Sequence, residues 1–355
     1  MTATFPRTHL TVFLRPLAVL GLAALTACSS TPPAPSAAAP ATKATTPAAA
    51  SIKIGIALGG GAAKGFAHIG VIKMLEANGF TPAVVAGTSA GSVVGALYAS
   101  GMTAFELQEK AVALDEAKIR DLQWSSGGLV LGQKLEDYVN EQVQRKPLEQ
   151  LAKPFVAVAT RLEDGERTVF ARGNTGQAVR ASSSIPGVFQ SVGIGKYHFV
   201  DGGITSPVPV DAARQLGADV VIAVDISNKA RGKTPDNLLG ALGQSIAIMG
   251  QKLGQAELAR ADIVIRPKVL DMGSVDFTHG TQAIVEGEKA AMDAMPQIRA
   301  LVAKLQTERA QAAQLAQKQA DKQAAEAEYQ NCLEKRSRMR KLAGMAGMDG
   351  DCEKP

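Results

Sequence analysis

The sequence predicts an α/β fold in which a doubly wound, mostly parallel sheet is flanked by helices and followed by a C-terminal helical extension. Two strand–turn–helix units support this prediction. The apolar run 51–58 leads through a glycine-rich turn into a helical period over 66–78, and the run 83–86 leads through a short turn into an Ala-, Val- and Leu-rich helix. Two further apolar runs, at 219–225 and 262–266, predict additional buried strands.

Composition agrees with a globular body. Hydrophobic residues make up 46% and charged residues 20% of the chain, which is enough to bury a sizeable core. The formal net charge is only +5 and aromatic residues are 4%, so the chain lacks the footprint of a nucleic-acid-binding protein. We expect one α/β domain over 51–300 and a polar helical extension over 301–355.

Residues 1–27 have the pattern of a signal peptide. Two arginines precede an apolar run at 17–25, which is too short to span a bilayer because spanning needs about 20 apolar residues. The run ends in Leu-Thr-Ala-Cys, which resembles the lipobox of bacterial lipoproteins. This resemblance implies cleavage before Cys28, lipidation of Cys28 and, with Ser29 next, the periplasmic face of the outer membrane. Ordinary signal-peptide cleavage near Ala27 is the alternative.

Residues 28–50 predict a tether. After Cys28 the segment is almost wholly Ser, Thr, Pro and Ala, a composition that cannot bury a core. At the rise of a polyproline II helix, the stretch from 29 to 50 would reach about 60 to 70 Å. We therefore expect the folded body to be held near a membrane without being embedded in it.

A serine lies at the turn between the second predicted strand and its helix. Gly87-Thr88-Ser89-Ala90-Gly91 matches GxSxG, in which the glycines let the backbone turn sharply enough to present the hydroxyl. The following helix directs its unpaired amides and the positive end of its dipole toward negative charge that develops near Ser89. Ser89 is therefore a candidate nucleophile, and the alternative is a tight packing turn.

The turn after the first predicted strand is Gly-Gly-Gly-Ala-Ala-Lys-Gly at 59–65, which offers backbone amides to an anion. A P-loop is excluded because GK[ST] is missing, and a GxGxxG fingerprint fails because Lys64 takes its last glycine position. A right-handed crossover brings both turns to the same edge of a parallel sheet. The loop amides and Ser89 should therefore converge on one carbonyl, as acyl transfer requires.

A third element, Tyr-His-Phe-Val-Asp-Gly-Gly at 197–203, delivers Asp201 into a glycine turn. Together with the glycine loop, GTSAG and Ala-Ser-Ser-Ser-Ile-Pro at 181–186, this element resembles the ordered blocks of the patatin-like phospholipases, over roughly 52–225. The resemblance implies a serine–aspartate dyad on a doubly wound sheet, with Ser89 as nucleophile and Asp201 as base. It assigns the oxyanion hole to the amides of Gly60, Gly61 and Ala62, and supporting roles to Gly59, Lys64, Gly65, Gly87, Gly91, Gly202 and Gly203. Ala62 departs from the pattern, since many members have glycine there.

The resemblance implies hydrolysis of a carboxylic ester of a lipid, either a phospholipid or a lysophospholipid, without a metal or an organic cofactor. Acyl transfer to another acceptor, or an envelope lipoprotein with an idle hydrolase fold, are the alternatives. A Ser…Asp…His triad is a rival for the base, because His279 follows Ser89 and Asp201 in that order, and His68 and His198 are also available. Each histidine also has a simpler structural interpretation.

The remaining segments predict supporting structure. The pattern indicates an amphipathic helix over 134–144, strands at 155–160 and 167–171, and a loop at 124–131 that covers either the substrate or the core. From 281 to 342 the composition predicts one or two solvent-exposed helices, whose partner the sequence does not identify.

Cysteines occur at 28, 332 and 352 only. If Cys28 is lipidated, Cys332 and Cys352 remain as an even pair, and we expect a disulfide between them in an oxidising compartment; two free thiols are the alternative. Neither cysteine has a histidine or cysteine at ligand spacing, so no metal site is expected.

Overall fold

A mixed sheet forms the centre of the fold. The computed structural model describes residues 51–114, 122–125, 128–227, 238–273, 278–343 and 352–354. The predicted signal peptide, Cys28 and the tether lie outside these residues. The strands are β1 (Ile54–Leu58), β2 (Val84–Thr88), β3 (Leu122–Ser125), β4 (Gly128–Val130), β5 (Phe155–Arg161), β6 (Arg167–Phe170), β7 (Val192–Ile194), β8 (Tyr197–Asp201), β9 (Val220–Val224) and β10 (Ile263–Ile265). The helices are α1 (Phe66–Ala77), α2 (Ala90–Ala99), α3 (Ala104–Val112), α4 (Gln133–Gln142), α5 (Thr175–Ser182), α6 (Val210–Gln215), α7 (Leu238–Leu258) and α8 (Gly280–Ala343).

The strand order is β10-β9-β1-β2-β5-β8-β7, and β6 also pairs with β5. The five strands from β10 to β5 are parallel, whereas β6 and β8 run antiparallel to β5, and β7 runs antiparallel to β8. The predicted, mostly parallel sheet is confirmed, and its strands at the four predicted apolar runs begin and end within a few residues of the predicted bounds.

Helices cover both faces of the sheet. Successive side chains of a strand point to opposite faces. Ile56 and Leu58 therefore pack in one core cluster with α1, α2 and the start of α8, whereas Ala57 packs in a second cluster with α6. Short parallel strands buried on both sides explain why the sequence reads there as continuous apolar runs.

The long helix α8 joins the domain to its extension. It packs closely on α1, because a Cβ added at Gly287 would lie only 2.0 Å from the carbonyl oxygen of Ala67. Its last buried residue is Val302, and the later turns are mostly exposed. The boundary predicted at 300/301 thus falls within a continuous helix, at the point where burial ends. Further along the chain, the structure joins Cys332 and Cys352 in a disulfide with a Cα–Cα distance of 6.0 Å.

Two local features differ from or add to the sequence predictions. The segment predicted as a loop at 124–131 contains parts of β3 and β4, which pair antiparallel. These strands have four and three residues, too few for a visible alternation pattern. Within the described part of the chain, no helix combines the length and the apolar character needed to cross a membrane.

Candidate active site

Ser89 occupies a strained corner between β2 and α2. Its backbone has φ 53° and ψ −124°, a left-handed conformation that costs about 1–3 kcal/mol at a residue other than glycine. The corner is compact because a Cβ at Gly91 would lie 2.1 Å from the carbonyl oxygen of Leu58. Helix α2 therefore starts directly against the carboxyl end of β1.

The hydroxyl of Ser89 donates a hydrogen bond to Asp201, with 2.6 Å between Oγ and Oδ2. Asp201 is the last residue of β8, and its Oδ1 accepts a hydrogen bond from the Gly203 amide at 2.7 Å. Both side chains are buried, at 6% and 7% exposure. Burial raises the pKa of Asp201 to about 6, although the hydrogen bonds from Ser89 and Gly203 lower it. The carboxylate is therefore a stronger base than an ordinary aspartate and is still mostly ionised at pH 7.

Two of the serines before Pro186 accept hydrogen bonds from the backbone amides of Ser89 and Asp201. The Ser89 amide donates to Ser182 Oγ at 2.9 Å, and Ser182 Oγ donates in turn to the Val158 carbonyl at 2.6 Å. The Asp201 amide donates to the carbonyl of Ser184 at 2.8 Å. As predicted, these serines lie at the end of a helix, α5, that packs under the site.

The glycine loop supplies fewer free amides than predicted. The Gly60 amide donates to the carbonyl of Pro207 at 3.0 Å, so Gly60 is not available as an oxyanion donor. The amides of Gly61 and Ala62 have no backbone acceptor among the described residues. The same holds for Ala90, which begins α2 beside the nucleophile, where a helix leaves its amides unpaired. Ala62 adopts the left-handed region at φ 52°, a conformation that favours glycine.

The other predicted motif residues lie in or beside the turns that follow β1, β2 and β8. Gly59 follows β1, Lys64 and Gly65 lie buried in a 3₁₀ turn before α1, Gly87 lies inside β2, Gly91 lies in α2, and Gly202 and Gly203 follow β8.

Two cavities meet at Ser89. The larger, of about 320 Å³, is lined mainly by apolar side chains, among them Val93, Leu97, Leu107, Leu135, Tyr138 and Phe189. The smaller, of about 200 Å³, is lined by residues that include Gly61, Asp201, Pro207, Gly243 and Gly250. Ser89, Ala62 and Ile185 border both. In the described parts of the chain, no group of three or more His, Cys, Asp or Glu side chains is placed to hold a metal ion.

A family model described as patatin-like phospholipase matches residues 56–214, which include the glycine loop, Ser89 and Asp201. Residues 56–214 form a patatin-like phospholipase domain. An uncharacterised NTE family protein of Mycobacterium tuberculosis is 36% identical over 189 residues, 52% of this chain and 52% of that protein. Patatin-like phospholipase domain-containing protein 6 of Homo sapiens is 32% identical over 184 residues, 50% of this chain and 13% of that protein.

Two further comparisons concern a fungal protein and a solved structure. Lysophospholipase NTE1 of Pyricularia oryzae is 25% identical over 278 residues, 69% of this chain and 18% of that protein. The crystal structure of VipD from Legionella pneumophila superposes with a TM-score of 0.48 at 14% identity, over 70% of this chain and 67% of that one. The chain spans about half the length of its mycobacterial relatives, and a smaller share of the human and fungal proteins.

The histidines of the patatin-like domain lie apart from the dyad. His68 is buried, its Nε2 lies 2.8 Å from the carbonyl of Gly59, and burial lowers its pKa to about 4, so it is neutral at pH 7 and donates this bond. His198 is exposed, with Nδ1 3.0 Å from Glu163 Oε1. His279 Nδ1 lies 3.3 Å from Thr278 Oγ1. Among the described residues, no hydrogen bond joins these histidines to the dyad.

Glu257 is a part of the site that the sequence did not reveal. Its carboxyl accepts hydrogen bonds from Ser206 Oγ and, at 2.8 Å, from the Val208 amide. The same segment, 206–208, accepts two further hydrogen bonds. The Thr88 hydroxyl donates to the Ser206 carbonyl, and the Gly60 amide donates to the Pro207 carbonyl. This buried carboxyl therefore positions both catalytic turns. Burial raises its pKa to about 7.

Replacing Glu257 tests this arrangement through the pH dependence of stability. The pKa of Glu257 in the folded state lies above its ordinary value of 4.5. The contribution of the protonated Glu257 side chain to the free energy of unfolding is therefore fully present below about pH 4.5 and is lost as pH rises through about 7. Glu257→Gln keeps an acceptor for Val208 without a charge. We measure the free energy of unfolding by urea at pH 5 and pH 8. We expect the difference between Glu257→Gln and wild type to shift in favour of the variant as pH rises, by up to about 3 kcal/mol at pH 8.

The matched control for this measurement is Glu328→Gln, which changes an exposed glutamate on α8. A stability difference between Glu257→Gln and wild type that is the same at both pH values would show that burial does not shift this carboxyl.

Proposed function

We propose that this chain is a serine acyl hydrolase that cleaves a carboxylic ester of a phospholipid or lysophospholipid. The observation that carries the proposal is the 2.6 Å contact of Ser89 Oγ with a buried, basic Asp201 at the junction of two cavities. A nucleophile and a base in direct contact are the minimum that acyl transfer needs. The free amides of Gly61, Ala62 and Ala90 lie around the same point.

In the first half of the reaction, Ser89 Oγ attacks the acyl carbonyl carbon while Asp201 takes the hydroxyl proton. The carbonyl oxygen becomes an oxyanion, which the loop amides and the positive end of α2 stabilise. The bond to the alcohol then breaks, and Asp201 returns its proton to the leaving oxygen. In the second half, water adds to the acyl carbonyl carbon while Asp201 takes a proton from the water. The bond from that carbon to Ser89 Oγ then breaks, and Asp201 returns the proton to Oγ, which releases the carboxylic acid and restores the serine.

The cavities support a lipid as the substrate. The larger cavity presents apolar side chains to an acyl chain, and burial of each methylene contributes about 0.8 kcal/mol. The smaller cavity offers the glycine loop and Asp201 to the polar side of the ester. The human and fungal relatives are named as a phospholipase domain-containing protein and a lysophospholipase, and these names agree with a lipid ester as the substrate.

A serine-directed fluorophosphonate probe tests the proposal. We expect the probe to label wild type, and Ser89→Ala to abolish both labelling and hydrolysis of a short p-nitrophenyl ester, because the attacking oxygen is gone. Ser183→Ala is the matched control, since Ser183 is buried and borders the larger cavity, and it should still be labelled.

Labelling that persists in Ser89→Ala would place the nucleophile elsewhere, and an unlabelled wild type would favour the idle fold. Recovery of the acyl group as free acid, rather than on an added alcohol, separates hydrolysis from acyl transfer.

We also propose that Cys28 carries a lipid anchor and that the body works at the periplasmic face of the outer membrane. The lipobox pattern and the tether composition support this assignment. Cys28→Ala should move most of the protein to the soluble periplasmic fraction on cell fractionation, because the tether loses the acyl chains that would hold it. A variant that stays with the membranes to the same extent as wild type would contradict lipidation of Cys28.

A further inference from the structure

Helix α7 leaves an apolar face in solvent. Leu242, Met249 and Leu253 are 42%, 47% and 40% exposed. Their spacing of seven and four residues places them on one face of the helix over about three turns. The sequence from 238 to 251 contains no charged residue. Scattered single apolar side chains are normal on a surface, but a contiguous apolar face marks an interaction site.

The opposite side of α7 rests on the domain through small residues. A Cβ at Gly250 would lie 3.7 Å from the carbonyl oxygen of Gly203, and one at Gly254 would lie 3.7 Å from Pro207 Cβ. Between 240 and 253 no side chain is fully buried, whereas Glu257 and Leu258 in the last turn are. The helix is therefore anchored at its C-terminal end, and its outer face contributes nothing to the core.

This helix is also a wall of the candidate active site. Gly243, Ile246, Ala247 and Gly250 line the smaller cavity, which contains Ser89 and Asp201. The outer face thus lies about one helix diameter, on the order of 10 Å, from the cavity. Whatever covers this face is brought directly beside the nucleophile.

We propose that the outer face of α7, defined by Leu242, Met249 and Leu253, docks on a lipid surface and lies in the plane of the membrane interface. This inference rests on the proposed function, since a lipid surface is the partner that also supplies a lipid ester to the adjoining cavity. Amphipathic helices of this kind insert their apolar side chains at the boundary between head groups and acyl chains. Docking then holds the cavity within about one helix diameter of the lipid surface.

Charge and chain length agree with a membrane as the partner. Lys252 is exposed beside Met249 and Leu253, where an ammonium group favours anionic head groups. The predicted tether has a reach of about 60 to 70 Å, which is enough for the domain to contact the membrane surface.

The test compares two double variants in the full chain, all carrying Cys28→Ala so that no acyl anchor contributes. Met249→Gln/Leu253→Gln changes the outer face of α7. Leu315→Gln/Met339→Gln is the matched control, since it removes the same two residue types from exposed positions on α8, at 62% and 67% exposure. Vesicles of mixed phosphatidylcholine and phosphatidylglycerol serve as the lipid surface, and a soluble p-nitrophenyl ester reports the chemistry.

Vesicle binding is measured by co-sedimentation in the Ser89→Ala background, so its result does not depend on catalysis. We expect the α7 variant to lose about tenfold in vesicle binding, and in hydrolysis of vesicle lipid with Ser89 intact, while the soluble ester is cleaved as by wild type. The α8 variant should match wild type in all three assays. If the chain hydrolyses nothing but binds vesicles through α7, the proposed function fails and the docking surface stands.

Three results would overturn the proposal. The first is an α7 variant that binds vesicles as tightly as wild type. The second is an α8 variant that loses as much vesicle binding as the α7 variant. Alternatively, sedimentation velocity would show that wild type self-associates and that the α7 variant does not, with vesicle binding unchanged, which would assign the face to a second copy of the chain.

Discussion

The hydrogen bond between Ser89 and a buried Asp201 is the constraint on which the rest of the structure depends. A carboxylate removed from water costs free energy unless its oxygens are hydrogen-bonded, and here the Ser89 hydroxyl and the Gly203 amide supply those bonds. The same burial makes the carboxylate basic. The sheet brings the partners together, because β5 pairs with both β2 and β8, whose ends carry Ser89 and Asp201.

The site is held from several sides because its backbone is strained. Ser89 and Ala62 both have left-handed φ values, each at a cost of about 1–3 kcal/mol. Ser182 fixes the Ser89 amide, and the segment 206–208, itself held by Glu257, fixes Thr88 and Gly60. Packing on α1, α2 and α8 thus stabilises one face of the sheet, while polar contacts fix the turns at its edge.

Local patterns and the family resemblance predicted most of the fold and the pairing of Ser89 with Asp201, since glycine-flanked turns after short apolar strands carry their signal within a few residues. What the sequence missed depends on contacts between distant segments. The Gly60 amide is taken by Pro207, 147 positions later, and no pattern in the loop indicates which of its amides is free. Glu257 resembles any glutamate near a helix end until the fold brings it against Ser206 and Val208.

The assignment of Asp201 as the base is tested most directly by kcat/KM on a soluble ester for Asp201→Asn, His198→Ala and His279→Ala, each with its fold checked by circular dichroism. A general base contributes about a hundredfold or more to the rate, so Asp201→Asn should lose at least that much. Each histidine variant should retain at least about a tenth of wild-type activity, because its contacts lie outside the dyad. If either histidine variant is as inactive as Asp201→Asn, a histidine is the base and the dyad is wrong.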